Sequence, residues 1–178
     1  MNRRGTVSAV VLLLTSIFSA PSFSEEADPL ANFGPEVNGL RAKVTVVKPV
    51  QKGQPIEIQY SKRNVSKVDL TIWHSGFWPN HQIIVKDFAG KEAALTDFGK
   101  QVRAAFNPGG PRDKNFSMNL KPNEEDNSQG AYDLNRLFNL SMHGKYTVQV
   151  IYEEKQGGWE GRLPSNIADF KILDAAAK

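Results

Sequence analysis

The sequence predicts an all-β protein, an antiparallel two-sheet sandwich of about seven to eight strands with one short helical turn near residues 133–140. Two observations carry this. Apolar residues recur at every second position through most of the chain, and Gly, Pro and Asn clusters fall between those runs. A strand with one buried and one solvated face has that period, because successive side chains point to opposite faces. A third observation limits the means of stabilisation. None of the 178 residues is cysteine, so the core must rest on apolar burial, without disulfides, cysteine-bound zinc or a thiol nucleophile.

The runs follow in order. Leu40, Ala42, Val44 and Val46 come first, then Ile56, Ile58 and Tyr60, then Val68, Leu70 and Ile72, then Ile83 and Val85. Val102, Ala104 and Phe106 read as a fifth strand and Phe116, Met118 and Leu120 as a sixth. Tyr146, Val148 and Val150 precede the last, Ala168, Phe170 and Ile172. Pro49, Gly53, Asn64, Ala89-Gly90-Lys91, Asn107-Pro108-Gly109-Gly110-Pro111, Gly144 and Gly157-Gly158 supply the turns. One helical turn is predicted, capped by Asp133, with Leu134, Leu137, Phe138 and Leu140 on one face.

Residues 1–24 read as a secretory leader. Arg3 and Arg4 precede an apolar stretch from Val7 to Phe18, and Ser22 and Ser24 fit the small residues before a cleavage site. That stretch is shorter than the ~20 residues a membrane-spanning helix needs. Residues 25–38 read as a flexible lead-in, 39–173 as the sandwich and 174–178 as a tail. The expected location is therefore the periplasm or the cell exterior, with no membrane span.

Removing Arg3 and Arg4 with the leader takes away two of the formal +3 charges of the whole chain. The remaining basic residues are scattered, whereas nucleic-acid binding needs many phosphate contacts from one surface. No nucleic-acid partner is expected.

Leu140-Ser141-Met142-His143-Gly144-Lys145-Tyr146-Thr147-Val148-Gln149-Val150 sets a Leu six residues ahead of a Tyr, with a Gly turn between them. This segment resembles the approach to the sixth strand of immunoglobulin-like and fibronectin type III domains, and Ser165–Ile172 resembles their last strand. The resemblance spans roughly Gly39 to Leu173. It implies structural roles for Leu140, Gly144 and Tyr146, the tyrosine hydroxyl bonding back to backbone near the preceding corner. Together with Arg63-Asn64-Val65-Ser66, the pattern is similar to a small bacterial sandwich class that includes the BsuPI-type proteinase inhibitors, from which the chain departs in having a leader. Proteinase inhibition is one function the resemblance implies, and the same architecture serves many others.

Candidate chemistry is sparse. His74 and His81 flank a loop that could bring them together, and His143 lies elsewhere; without a third converging ligand, no metal site and no cofactor are expected. Glu124-Glu125-Asp126 lacks the alternating ligands of a calcium loop and reads as a solvated acidic turn. No Gly-x-Ser-x-Gly elbow or phosphate cradle occurs, so no catalytic residue is assigned.

The aromatic residues remain. Trp73, Phe77, Trp78 and Trp159, with His81, are the candidate ligand-binding set. If Ile72 points inward, Trp73 points outward by strand parity; the alternative is that the tryptophans belong to the core. The function expected first is an exported, non-catalytic binding or assembly module. Its partner would be a protein or envelope polymer, met through loops 74–81 and 107–115 or through the first and last strands as sheet edges. A carbohydrate-binding module using exposed tryptophans is the second reading.

Overall fold

A computed structural model describes residues 28–47, 50, 52–73, 76–111, 116–127, 131–140 and 144–173. The leader, the 174–178 tail, His74 and His143 lie outside these residues.

Two antiparallel sheets face each other, each built on one central strand. In the first, β2 (Glu57–Asn64) pairs along its length with β1 (Leu40–Val46). On its other side β2 meets two short strands, β6 (Glu125–Asp126) near Lys62 and β7 (Ala131–Asp133) near Ile58. In the second sheet, β8 (Gly144–Glu154) pairs along one side with β4 (His81–Asp87). Its other side takes β10 (Ala168–Ile172) over the first half and β9 (Gly161–Pro164) over the second. A separate ribbon joins β3 (Leu70–Trp73) to β5 (Ser117–Leu120). The all-β sandwich is as the period-two pattern predicts, with several strands too short to show a period.

Most of the predicted rows form the core, but Val68 and Phe116, read as the first residues of two rows, lie outside β3 and β5 and are 63% and 52% exposed. Leu40, Ala42, Val44 and Val46 of β1, Ile58 and Tyr60 of β2, Ile83 and Val85 of β4, and Val148 and Val150 of β8 are all buried. Burying each Val, Leu or Ile is worth about 1.5–3 kcal/mol, so the rows decide which face of each strand turns inward. Leu140 is buried, Gly144 opens β8 opposite Ile172, and Tyr146 stacks on Phe170 with ring centroids 5.4 Å apart.

Two predicted elements need correction. Val102, Ala104 and Phe106 are not a strand: Asp97–Ala104 is helix α1, and Phe106 follows it. Thr96 caps the helix, its Oγ1 accepting the Gly99 N–H at 2.9 Å, and Asp97 sits in the first turn where the helix dipole favours negative charge. Gly99 lets α1 lie against the 137–138 backbone, since a Cβ there would come 2.1 Å from the Leu137 carbonyl oxygen. The predicted turn after Asp133 is shorter than its apolar spacing suggested, a 3₁₀ turn over Leu134–Arg136. The Asp133 carboxylate accepts the N–H groups of both Asn135 and Ile56 at 3.0 Å, which ties the turn to the start of β2.

The lead-in joins the fold from Asp28 onward: Phe33 is buried and the Gly34 N–H donates to the Ala42 carbonyl at 2.8 Å. That bond covers part of the edge of β1. Asn166 covers more, its side-chain amide accepting from the Val44 N–H at 2.7 Å and donating to the Val44 carbonyl at 3.1 Å. Ala42 also bridges to Ser165, so β1 is tied across to the second sheet and is not the free edge expected from sequence. The outer edge of β4 is covered in its turn by Glu92 and Ala93, the Ala93 N–H donating to the Val85 carbonyl at 2.9 Å.

Candidate functional site

Three loops meet at one rim of the sandwich. The 76–80 loop lies beside the 107–110 loop, where the Asn107 N–H donates to the Pro79 carbonyl at 2.8 Å. The β8–β9 hairpin joins both. Its Gln156 side chain donates to the carbonyls of Gly109 and Gly110 at 2.9 and 2.8 Å, and the Lys155 N–H to that of Pro108 at 3.3 Å. Gly157 and Gly158 have φ of +95° and +128°, and a Cβ at Gly157 would come 2.5 Å from the Trp73 indole nitrogen. A side chain would be strained there and would also clash.

That close approach settles the tryptophans. Trp73 does not point into solvent: it is 5% exposed, its indole donates to the Gln156 carbonyl at 3.1 Å, and the hairpin covers it. Trp73 still faces away from Ile72, but the hairpin covers that face of β3 at this end, while Thr71 on the same face stays exposed. Trp159 is 4% exposed, and its indole donates to the Asn38 carbonyl at 3.1 Å. Neither is open to a sugar ring. Trp78 is half-buried and is the one tryptophan with a solvent-facing part.

Phe77 and His81 are buried too, at the centre of a run of rings. Phe77 stacks on His81 at 4.1 Å and lies 4.1 Å from Tyr132 on its other side, while Trp78 sets its edge against both Phe77 and Tyr132. Tyr152 continues inward from His81 at 4.9 Å and reaches Trp159 at 5.3 Å. The candidate set is thus one connected cluster apart from Trp73. Trp78 and the half-buried Tyr132 are its outer end.

Behind the rings lies a charged core that the sequence reading missed. Lys62 points inward, 3.5 Å from the Asp126 carboxylate and 4.3 Å from the centre of the Tyr152 ring. Glu154 faces the same interior and accepts from the Asn80 side chain. Burial lowers the Lys62 pKa, while the negative charges of Asp126 and Glu154 raise it. Burial also raises the Tyr60 hydroxyl well above its usual range, with Tyr152 and Asp126 adding to the effect. His81 is held neutral, first by burial and then by Lys62; its Nδ1–H donates to the Phe77 carbonyl at 2.7 Å, leaving Nε2 with the lone pair.

Every member is at most 3% exposed, so the cluster is closed to solvent and joins β2, β4, β6 and β8. A parity signal for Lys62 was present: it follows Ile56, Ile58 and Tyr60 on the same side of β2. The acidic run is solvated only in part: Glu124 and Asn127 are exposed and Glu125 is half-buried, whereas Asp126 turns inward. Glu124 accepts the Lys121 N–H at 2.8 Å, Glu125 pairs with Lys43 at 3.2 Å, and Asp126 is buried.

Among the described residues, no group of three or more His, Asp or Glu side chains is arranged to hold a metal ion. No protein-family model matches the chain, and comparison with curated proteins gives no match either.

Proposed function

We propose that the protein is exported and serves as a non-catalytic binding module, holding a protein or envelope polymer against the rim formed by residues 76–80, 107–110 and 154–158. The observation that carries this reading is the Asn107–Pro79 bond, which places side by side two loops that lie far apart in sequence. Gln156 fixes the third loop against them. Loops held by a rigid scaffold present a pre-ordered surface and lose little entropy on binding. Trp78 gives that surface an aromatic anchor, the residue type that dominates binding energy at protein contacts. Export rests on the leader pattern of residues 1–24.

The carbohydrate reading narrows accordingly. Trp73 and Trp159 are enclosed, so only Trp78 is left to stack on a sugar. A tryptophan fluorescence change on adding soluble glycans, lost in Trp78→Ala, is the result the carbohydrate reading expects, and no response across a broad glycan panel would remove it. The direct test is capture from the source cell envelope by the chain processed after Ser24, with Trp78→Ala beside it. Loss of the captured species in the variant is the expected result. Equal capture by both forms would remove the rim as the working surface.

A further inference from the structure

We propose that the opposite end of the second sheet docks on an anionic phospholipid surface, with Phe88 as the inserted side chain and Lys86, Lys91, Lys145 and Lys171 as the charges that hold the headgroups. Phe88 is 85% exposed, the largest exposure among the exposed large apolar side chains. It stands in a fixed turn. The Asp87 carboxylate accepts the N–H groups of Ala89 and Lys91 at 2.9 and 3.0 Å, and the Gly90 N–H donates to the Asp87 carbonyl at 2.9 Å. An apolar ring held rigidly in water gains when it is buried, and no other part of the described chain covers it.

The lysines gather around this turn. Tyr146 and Val148 point inward on β8, as Phe170 and Ile172 do on β10, so Lys145 and Lys171 point outward, where the register sets them directly opposite each other. Like charges in that position repel. Asp87 pairs with Tyr146, which puts the Phe88 turn beside Lys145, and Lys86 is one position back along the outer face of β4. All four lysines are exposed, and none forms an ion pair with a described residue.

Three carboxylates lie nearby: Asp87, which keeps its charge while accepting the turn N–H groups, Glu92, paired with Arg103 at 3.4 Å, and Asp169 on the outer face, so the lysines leave the patch positive by a small margin. Leu173, 45% exposed at the end of β10, adds a second apolar side chain near Lys171. A repelling lysine pair beside exposed Phe and Leu side chains suits a surface that is negatively charged outside and apolar just beneath, which a bilayer of acidic lipids is and a soluble acidic protein is not. The rim lies at the other end of β8, so a chain docked in this way keeps its loops directed away from the lipid.

The test is co-sedimentation of the chain processed after Ser24, which keeps every described residue. Vesicles of mixed phosphatidylglycerol and phosphatidylcholine are compared with phosphatidylcholine alone. We expect binding to the mixed vesicles only, weakened by salt. It should fall about fivefold for each lysine neutralised in Lys145→Gln and Lys171→Gln, and also fall in Phe88→Ser. The lysine variants, freed of repulsion, should melt no lower than the parent, which separates lost binding from lost folding. Failure to bind mixed vesicles overturns the proposal. So does a Phe88→Ser variant that binds like the parent while the lysine variants do not, since that pattern marks a site for a soluble polyanion.

Discussion

Lys62 on β2 and Asp126 on β6 form an ion pair of 3.5 Å with side chains 0% and 1% exposed. Asp126 thereby holds the short β6 strand to β2 by a side-chain contact as well as by backbone pairing at Lys62. Breaking a buried pair by removing one partner strands the other charge, at about 3–5 kcal/mol, whereas replacing both with apolar groups is often neutral. Glu154 remains as a second counter-charge for Lys62, so Asp126→Ala should lose stability toward the lower end of that range in urea denaturation, and Lys62→Met combined with Asp126→Leu should recover part of it, Glu154 then keeping only its Asn80 bond. A double variant as unstable as the single would show that the pair is not the unit of stability.

His81 makes stability depend on pH in a defined window. Its folded-state pKa is well below about 6.5, the ordinary value, because of burial and then the Lys62 charge. As pH falls below about 6.5 the unfolded chain takes up a proton that the folded chain refuses, so stability drops, by up to about 1.4 kcal/mol per pH unit from this residue. Above that pH His81 contributes no slope, and the loss ends only where the folded form itself protonates. Urea denaturation between about pH 7.5 and pH 5 should show a shallower slope for His81→Phe, which keeps a ring against Phe77. Parallel curves for the two proteins would refute the assignment.

Gly99 offers a test in which two effects oppose each other. Helix propensity favours Ala over Gly by about 1 kcal/mol. Against this, the added Cβ would sit 2.1 Å from the Leu137 carbonyl oxygen, a backbone atom, and overpacking of this kind costs about 1–3 kcal/mol. Gly99→Ala should lower Tm, with circular dichroism showing the helix retained. A raised Tm would mean that α1 stands further from residues 137–138.

Asn166 acts as a substitute piece of strand for Val44. In Asn166→Ala the Val44 N–H and carbonyl lose their partners, at about 1–3 kcal/mol, and a stretch of β1 edge is opened. Lower stability together with concentration-dependent self-association in sedimentation is the expected pair of results. Unchanged stability would place the Val44 backbone groups in contact with water.

The strand rows were legible because alternation records which face meets the core, and Val44, Ile58, Val85 and Val148 each lie where their parity puts them. The Val102–Phe106 stretch misled because Val102 and Phe106, four apart, also suit one side of a helical turn while Ala104 turns outward, and the Thr96 cap with Asp97 behind it was the stronger local signal. At the candidate site, sequence proximity correctly grouped Phe77, Trp78 and His81, yet the partners that complete the ring cluster, Tyr60, Tyr132 and Tyr152, come from distant strands. Lys62 and Asp126 went unread for a related reason: a charge at an inward position is unfavourable until its partner is known.

By itself the sequence determined the layered β architecture and the inward face of each principal strand, since both follow from local alternation and the removal of apolar surface from water. Only the tertiary structure decided that Trp73 and Trp159 lie inside, that β1 is covered, and that Lys62 is matched by Asp126. Each of those outcomes depends on a residue far along the chain arriving to cover a face, fill an edge or balance a charge, and alternation along one strand carries no information about that arrival.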